Sequence, residues 1–158
     1  MFKFGEKSTA NLETVHKDLR IVMNYALSRS NIDFGISCGL RTVEEQFELY
    51  KQGRSLINGK WVVDKSKGGI VTQKDGINNK SKHNTGEAVD IFLVFKNKKG
   101  EAYNRFALCY VAGIVRSVSE ELFAKGGISN KVIWGANWDD DSDFIFDHSF
   151  IDMPHFEI

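Results

Sequence analysis

Between residues 9 and 29, apolar side chains recur at Leu12, Val15, Leu19, Val22 and Ala26, with Met23 and Leu27 beside them. That is the spacing of a helix with one buried stripe, and Ser8 in front of it is a good N-cap, so a first helix is predicted over 9–29. Phe34-Gly-Ile-Ser-Cys38 is short, partly alternating and bounded by Asp33 and Gly39, which predicts a strand. Thr42 and Glu45 are spaced as a capping box and open a second, shorter helix to about residue 52.

Residues 51–82 hold five Gly, eight basic and two acidic residues without sustained periodicity. They predict a long, mobile basic surface loop or inserted hairpin, either a solvated excursion or an electropositive arm for an anionic polymer. Ala88-Val-Asp-Ile-Phe-Leu-Val-Phe95 is apolar and branched enough for a central strand. From Asn104 the positions Leu108, Val111, Val115, Val118 and Leu122 mark a long helix that Gly126-Gly127 stops. Residues 131–134 predict another strand. The tail 150–158 predicts a terminal one that Pro154 pushes toward a sheet edge. Two long helices, one shorter helix and about four short strands imply an α+β fold: a small mixed domain with a short antiparallel sheet.

At 158 residues with 42% hydrophobic, the chain has the size of one domain, 1–158, with a core of its own. Lys plus Arg and Asp plus Glu both number 21, so there is no net field to hold nucleic acid. The charge is divided, however: 18 basic and 12 acidic residues up to Arg105, then 3 and 9. No stretch approaches the roughly 18 apolar residues of a membrane span, and the first residues lack the apolar run of an export signal, so a cytoplasmic site of synthesis is expected. Cys38 and Cys109 stand far apart in apolar runs, as reduced, buried small hydrophobes do.

Two of the four His have polar company: His83, in Ser81-Lys-His83-Asn-Thr-Gly86-Glu-Ala88-Val-Asp90, and His155, in Asp152-Met-Pro-His155. His83, Asp90 and His155 make the two-His, one-carboxylate set of a catalytic zinc that leaves a position open for water or substrate. Zinc brings the pKa of bound water toward neutrality, and a nearby carboxylate can take its proton; Asp152 is the candidate base. For Asp152 and His155 to converge, Met153-Pro154 must bend the chain, because strand alternation turns residues three apart to opposite faces. The run Asp139-Asp-Asp-Ser-Asp143, followed by Asp147 and His148, supplies oxygen ligands. A second cation, calcium, on Asp139, Asp141 and Asp143 is weighed there against a solvated acidic loop.

Ser81-x-His83-x-x-Gly86-x-Ala88-x-Asp90 resembles, at all five fixed positions, the zinc signature of the D-Ala-D-Ala metallopeptidase family. Gly39-Leu-Arg41-Thr42-x-x-x-Gln46 is similar to that family's upstream segment, and Asp152-x-x-His155 stands where it has its base and last ligand. With Phe-Lys-Phe-Gly near the start and Gly135-Ala-Asn-Trp138 before the last motif, the chain looks most like phage endolysins that cut the L-alanyl-D-glutamate bond of peptidoglycan.

The resemblance implies a zinc peptidase with its ion in a surface cleft, held by His83, Asp90 and His155, with Asp152 as general base. It gives Arg41 to the substrate carbonyl and its oxyanion, Ser81 to substrate or to the loop itself, and Gln46 to the support of Arg41. It also implies a monomer that acts on the wall stem peptide after a holin opens the host membrane. The chain departs from the wider family in having Asp152 where many relatives have Glu, and in the length of 51–82. Alternative readings are a D,D-carboxypeptidase or dipeptidase acting on D-Ala-D-Ala termini, and a zinc-containing wall-binding module without hydrolysis.

Overall fold

The computed structural model describes residues 1–97, 100–141 and 149–158. The chain divides into two units, Met1–Leu40 with Gly86–Ile158, and Arg41–Thr85.

In the first unit, the apolar stripe of residues 12–27 forms two helices rather than one, α1 (Glu6–Glu13) and α2 (Lys17–Arg29). The break is made by a tertiary hydrogen bond: the His16 N–H donates to the Gly86 carbonyl at 2.8 Å, and the His16 ring then caps α2 by accepting from the Asp18 N–H. Leu12, Val15 and Leu19 all stay buried across it, which is why periodicity alone carried straight through. Ser8 is not the cap but lies inside α1, where its Oγ accepts from the Ile36 N–H at 3.0 Å.

β1 (Asp33–Cys38), β4 (Ala88–Val94), β5 (Ile133–Trp134) and β6 (His155–Glu157) form one antiparallel sheet in the order β1-β4-β6-β5; β2 (Arg54–Ile57) and β3 (Lys60–Val63) belong to the other unit. Along β4, Val89, Ile91 and Leu93 enter the core with Phe34 and Ile36 of β1 and Phe156 of β6. Asn104 caps the long helix α4 (Arg105–Ala124), which packs its buried stripe against α2. The tail strand β6 is interior, between β4 and β5, instead of at an edge. Pro154 is tolerated because it precedes the ladder, and its carbonyl accepts from the Ile91 N–H at 3.0 Å. Neither Cys38 nor Cys109 is in a disulfide and both are half-buried, and burial pushes the Cys109 thiol up.

In the second unit, α3 (Val43–Lys51) begins at Thr42 with the capping box formed in full. After it, β2 (Arg54–Ile57) and β3 (Lys60–Val63) make an antiparallel hairpin closed by Asn58-Gly59, both at positive φ. Phe47 packs between Tyr50 and Trp61, and the Arg54 guanidinium lies 3.9 Å over the Tyr50 ring, so α3 and the hairpin share a small aromatic cluster. None of the described helices is long and apolar enough to cross a membrane.

Candidate active site

Strand alternation decides which side chains of the main sheet can do chemistry. With Val89 and Ile91 committed to the core, Asp90 faces the other side of β4. Its partner in register on β6 is His155, and His155 Nδ1 stands 3.0 Å from Asp90 Oδ1. On the other flank a β-bulge at Ser37 places Cys38, rather than Ser37, opposite Asp90. Cys38 Sγ and an Asp90 carboxylate oxygen consequently come within 4.8 Å of each other. The bulge is held by the Ser37 hydroxyl, which donates to the Asp90 carbonyl at 3.1 Å.

His155 is brought to this face by a turn. The His155 N–H donates to the Asp152 carbonyl at 3.1 Å, so Asp152-Met-Pro-His155 bends as the convergence of those residues requires. The segment Gly135-Ala-Asn-Trp138 grips the turn from the side. Gly135 donates to the His155 carbonyl at 2.8 Å and accepts from the Asp152 N–H at 2.7 Å. A Cβ on Gly135 would lie 2.5 Å from the Asp152 carbonyl oxygen and 2.9 Å from His155 Cβ, so only glycine fits. The Trp134 indole N–H donates to the Met153 carbonyl at 2.8 Å, and the Trp138 ring lies 5.4 Å from the His155 ring. Asp152 lines a cleft of about 430 Å³ together with Tyr103, Arg105 and residues 151–154.

In the second unit, Arg41 and His83 are tied together by their backbones: the Arg41 N–H donates to the His83 carbonyl at 2.9 Å, and the Asn84 amide donates to the Arg41 carbonyl at 3.0 Å. His83 is buried in a 3-10 turn, Lys82–Thr85. Ser81 starts that turn, its Oγ accepting from the His83 N–H at 3.3 Å. The Arg41 guanidinium donates to Gln46 Oε1 at 2.8 Å. Gln46 is fully buried, and its amide donates in turn to the Lys74 carbonyl at 2.8 Å and to Thr72. The Gln46 side chain is thereby engaged at both ends, accepting from the guanidinium and donating to Thr72 and Lys74.

Of the acidic run, Asp143 lies outside the described residues, as do Asp147 and His148. Asp139 and Asp141 are exposed, and Asp140 between them pairs with Arg116 at 2.6 Å.

Two residues near the chemistry carry no sequence signal of their own. Cys38 reaches the Asp90 face only through a bulge, and Glu157 stands 3.0 Å from His155 Nε2. Within the first unit, Cys38 and Asp90 bring a thiol and a carboxylate together, donors of the kind that hold a metal ion. His155 adds an argument from charge. A neutral imidazole has one N–H, yet this ring faces a carboxylate at each nitrogen, so the pair would be suited by added positive charge.

The family model of the phage L-alanyl-D-glutamate peptidase matches residues 1–158. The L-alanyl-D-glutamate peptidase of Escherichia phage T5 is 32% identical over 143 residues, which cover 90% of this chain and 86% of that protein. The crystal structure of the Serratia marcescens L-Ala D-Glu endopeptidase ChiX matches with a TM-score of 0.63 at 26% identity, over 99% of this chain and 90% of that one.

Proposed function

This chain belongs to the phage L-alanyl-D-glutamate peptidase family and is an endolysin-like peptidase of peptidoglycan, and from that premise we propose that it cuts the L-alanyl-D-glutamate bond of the stem peptide with zinc held by His83, Asp90 and His155. The observation that carries the ligand set is the Asp90–His155 pair, two donors facing each other at 3.0 Å across adjacent strands. His83 joins them through the zinc signature it shares with Asp90, seven residues further along the chain. Residues 1–158 act as one catalytic domain.

When bound, zinc supplies Lewis acidity that polarises the scissile carbonyl and makes a water acidic enough to attack at neutral pH. Asp152 accepts the proton of the attacking water as its oxygen bonds to the carbonyl carbon, and returns that proton to the leaving D-glutamate nitrogen as the C–N bond breaks. Arg41, oriented by Gln46, faces the oxygen on which negative charge grows; a preset cation there needs no reorganisation during the step. Ser81 holds the turn that carries His83, and so acts on the substrate through that ligand.

The D,D-carboxypeptidase and the non-hydrolytic module are less well supported than the endopeptidase, because the phage T5 and Serratia proteins are both named for the L-alanyl-D-glutamate bond. Access to the wall is through a membrane opening such as a holin provides. The ligand set is tested by measuring zinc content in purified His83→Ala and His155→Ala. Loss of stoichiometric zinc in both is expected, and a full equivalent retained in either overturns the set.

A further inference from the structure

Strand β6 alternates about Phe156, whose ring is fully buried opposite Val89. His155 and Glu157, two residues apart, therefore share the face that Asp90 occupies on β4. There the His155 ring is held at both nitrogens, Nδ1 3.0 Å from Asp90 Oδ1 and Nε2 3.0 Å from Glu157 Oε2. The grip is largely out of solvent, with 8% of the His155 side chain and 22% of that of Glu157 exposed.

We propose that Glu157 is a positioning residue of the metal centre: its carboxylate accepts the Nε2–H of His155, fixes that tautomer and presents the bare Nδ1, beside Asp90, to the zinc ion. The inference rests on the zinc reading above and adds to it a residue outside the signature motifs.

Proton count decides the tautomer. An ionised carboxylate can only accept, so each of the two facing His155 favours a proton on the nitrogen nearest it. A neutral ring has one proton to give. Metal at Nδ1 removes the competition in favour of Glu157, and Glu157, by holding the proton at Nε2, keeps Nδ1 free for metal. Each therefore strengthens the other. The sheet sets the geometry, since Glu157 is in register with Ala88 on β4 and with Ile133 on β5, which anchors its backbone from both sides. Ala88, the signature's small residue, stands directly opposite Glu157 on β4 and leaves room for its carboxylate on that side.

The test is the zinc dissociation constant of the full chain, by competition with a chromophoric chelator, in wild type, Glu157→Gln, Glu157→Ala and His155→Ala. The nitrogen-15 shifts of the His155 ring in the zinc-loaded protein are read alongside. Glu157→Ala is expected to bind zinc roughly 10–100-fold more weakly. Glu157→Gln, which keeps an acceptor without the charge, should fall between, and the wild-type ring should carry its proton on Nε2. If Glu157→Ala matches wild type while His155→Ala loses zinc, the role of Glu157 is wrong and the zinc site stands. If His155→Ala keeps wild-type affinity, the zinc reading itself fails. Should Glu157→Ala not fold, Glu157→Gln decides: wild-type affinity and an unchanged ring spectrum overturn the proposal.

Discussion

Asp90 and His155 face each other in register across β4 and β6, Oδ1 to Nδ1 at 3.0 Å, although 65 residues separate them in the chain. The antiparallel ladder, entered through the Asp152–His155 turn, makes the encounter and links the zinc signature to the closing motif. Because Asp90 and His155, two of the proposed ligands, come from distant stretches of the first unit, anything that frees the tail is expected to free the metal.

Deletion of residues 153–158 removes His155 and strand β6 together. The truncated protein should bind no stoichiometric zinc, as read by metal analysis after gel filtration. A full equivalent of zinc in it contradicts the assignment of His155.

Asp152→Asn should retain zinc and lose cleavage, because the amide cannot accept the water's proton while the turn and its backbone bonds persist. A drop of roughly 100-fold or more in turnover is expected, at the level general-base catalysis ordinarily supplies. Cleavage at the wild-type rate removes Asp152 from the mechanism.

Gln46→Leu removes the acceptor that holds Arg41 and leaves buried polar groups around it unmatched. The expected cost is about 1–3 kcal/mol of stability, read by urea denaturation. Turnover should fall with zinc content unchanged, since the role proposed for Arg41 is at the oxyanion and not at the metal. Equal turnover in this variant means that Arg41 does not need Gln46 to act.

Two glycine substitutions should move in opposite directions. Gly135→Ala pushes a methyl group to 2.5 Å from the Asp152 carbonyl oxygen, and overpacking of that kind costs about 1–3 kcal/mol. Zinc affinity should fall with stability, because the same turn carries His155. Gly113, exposed inside α4 with open space around it, should instead gain about 0.5–1 kcal/mol on change to Ala. Thermal melts of the pair check both signs.

Asp18 sits fully buried near the start of α2 and ties down the segment before β5. Burial pushes its carboxyl up, but hydrogen bonds from the Asn130 side chain and from the Ser129 and Asn130 N–H groups, with His16 nearby, outweigh that and hold it below the usual value. A carboxylate lowered in the folded state contributes stability above its unfolded pKa of about 3.9, and loses it as pH falls through the lower folded value. Asp18→Ala should therefore cost about 1.5–3 kcal/mol at pH 7. The gap to wild type should narrow below about pH 4, by urea melts at both pH values. A gap of equal size under acid contradicts the carboxylate's role.

Much of this was legible in the sequence because local signals and tertiary demands agreed. The Thr42 capping box, the Asn104 cap and the alternating residues 88–94 each form as their neighbours dictate. What escaped was decided by partners distant in the chain. The split at His16 depends on the Gly86 carbonyl, and the place of Cys38 beside Asp90 depends on a bulge in strand pairing. The interior position of β6 depends on Pro154 falling just ahead of the ladder. The β2–β3 hairpin falls within 51–82, where a loop or an inserted hairpin is expected, but its strand bounds were not legible: most of its side chains are exposed on both faces, so no apolar alternation marks the strands, and only Asn58-Gly59 announces the turn.

The central claim, zinc-dependent cleavage between L-alanine and D-glutamate, is tested most directly by digesting purified peptidoglycan with the protein and identifying the new termini by mass spectrometry. The digestion is run with zinc, with a chelator, and with zinc restored. New D-glutamate amino termini and L-alanine carboxyls that vanish with chelator and return with zinc are the predicted result. The same termini at full yield from metal-free protein, or released D-alanine in their place, would contradict it.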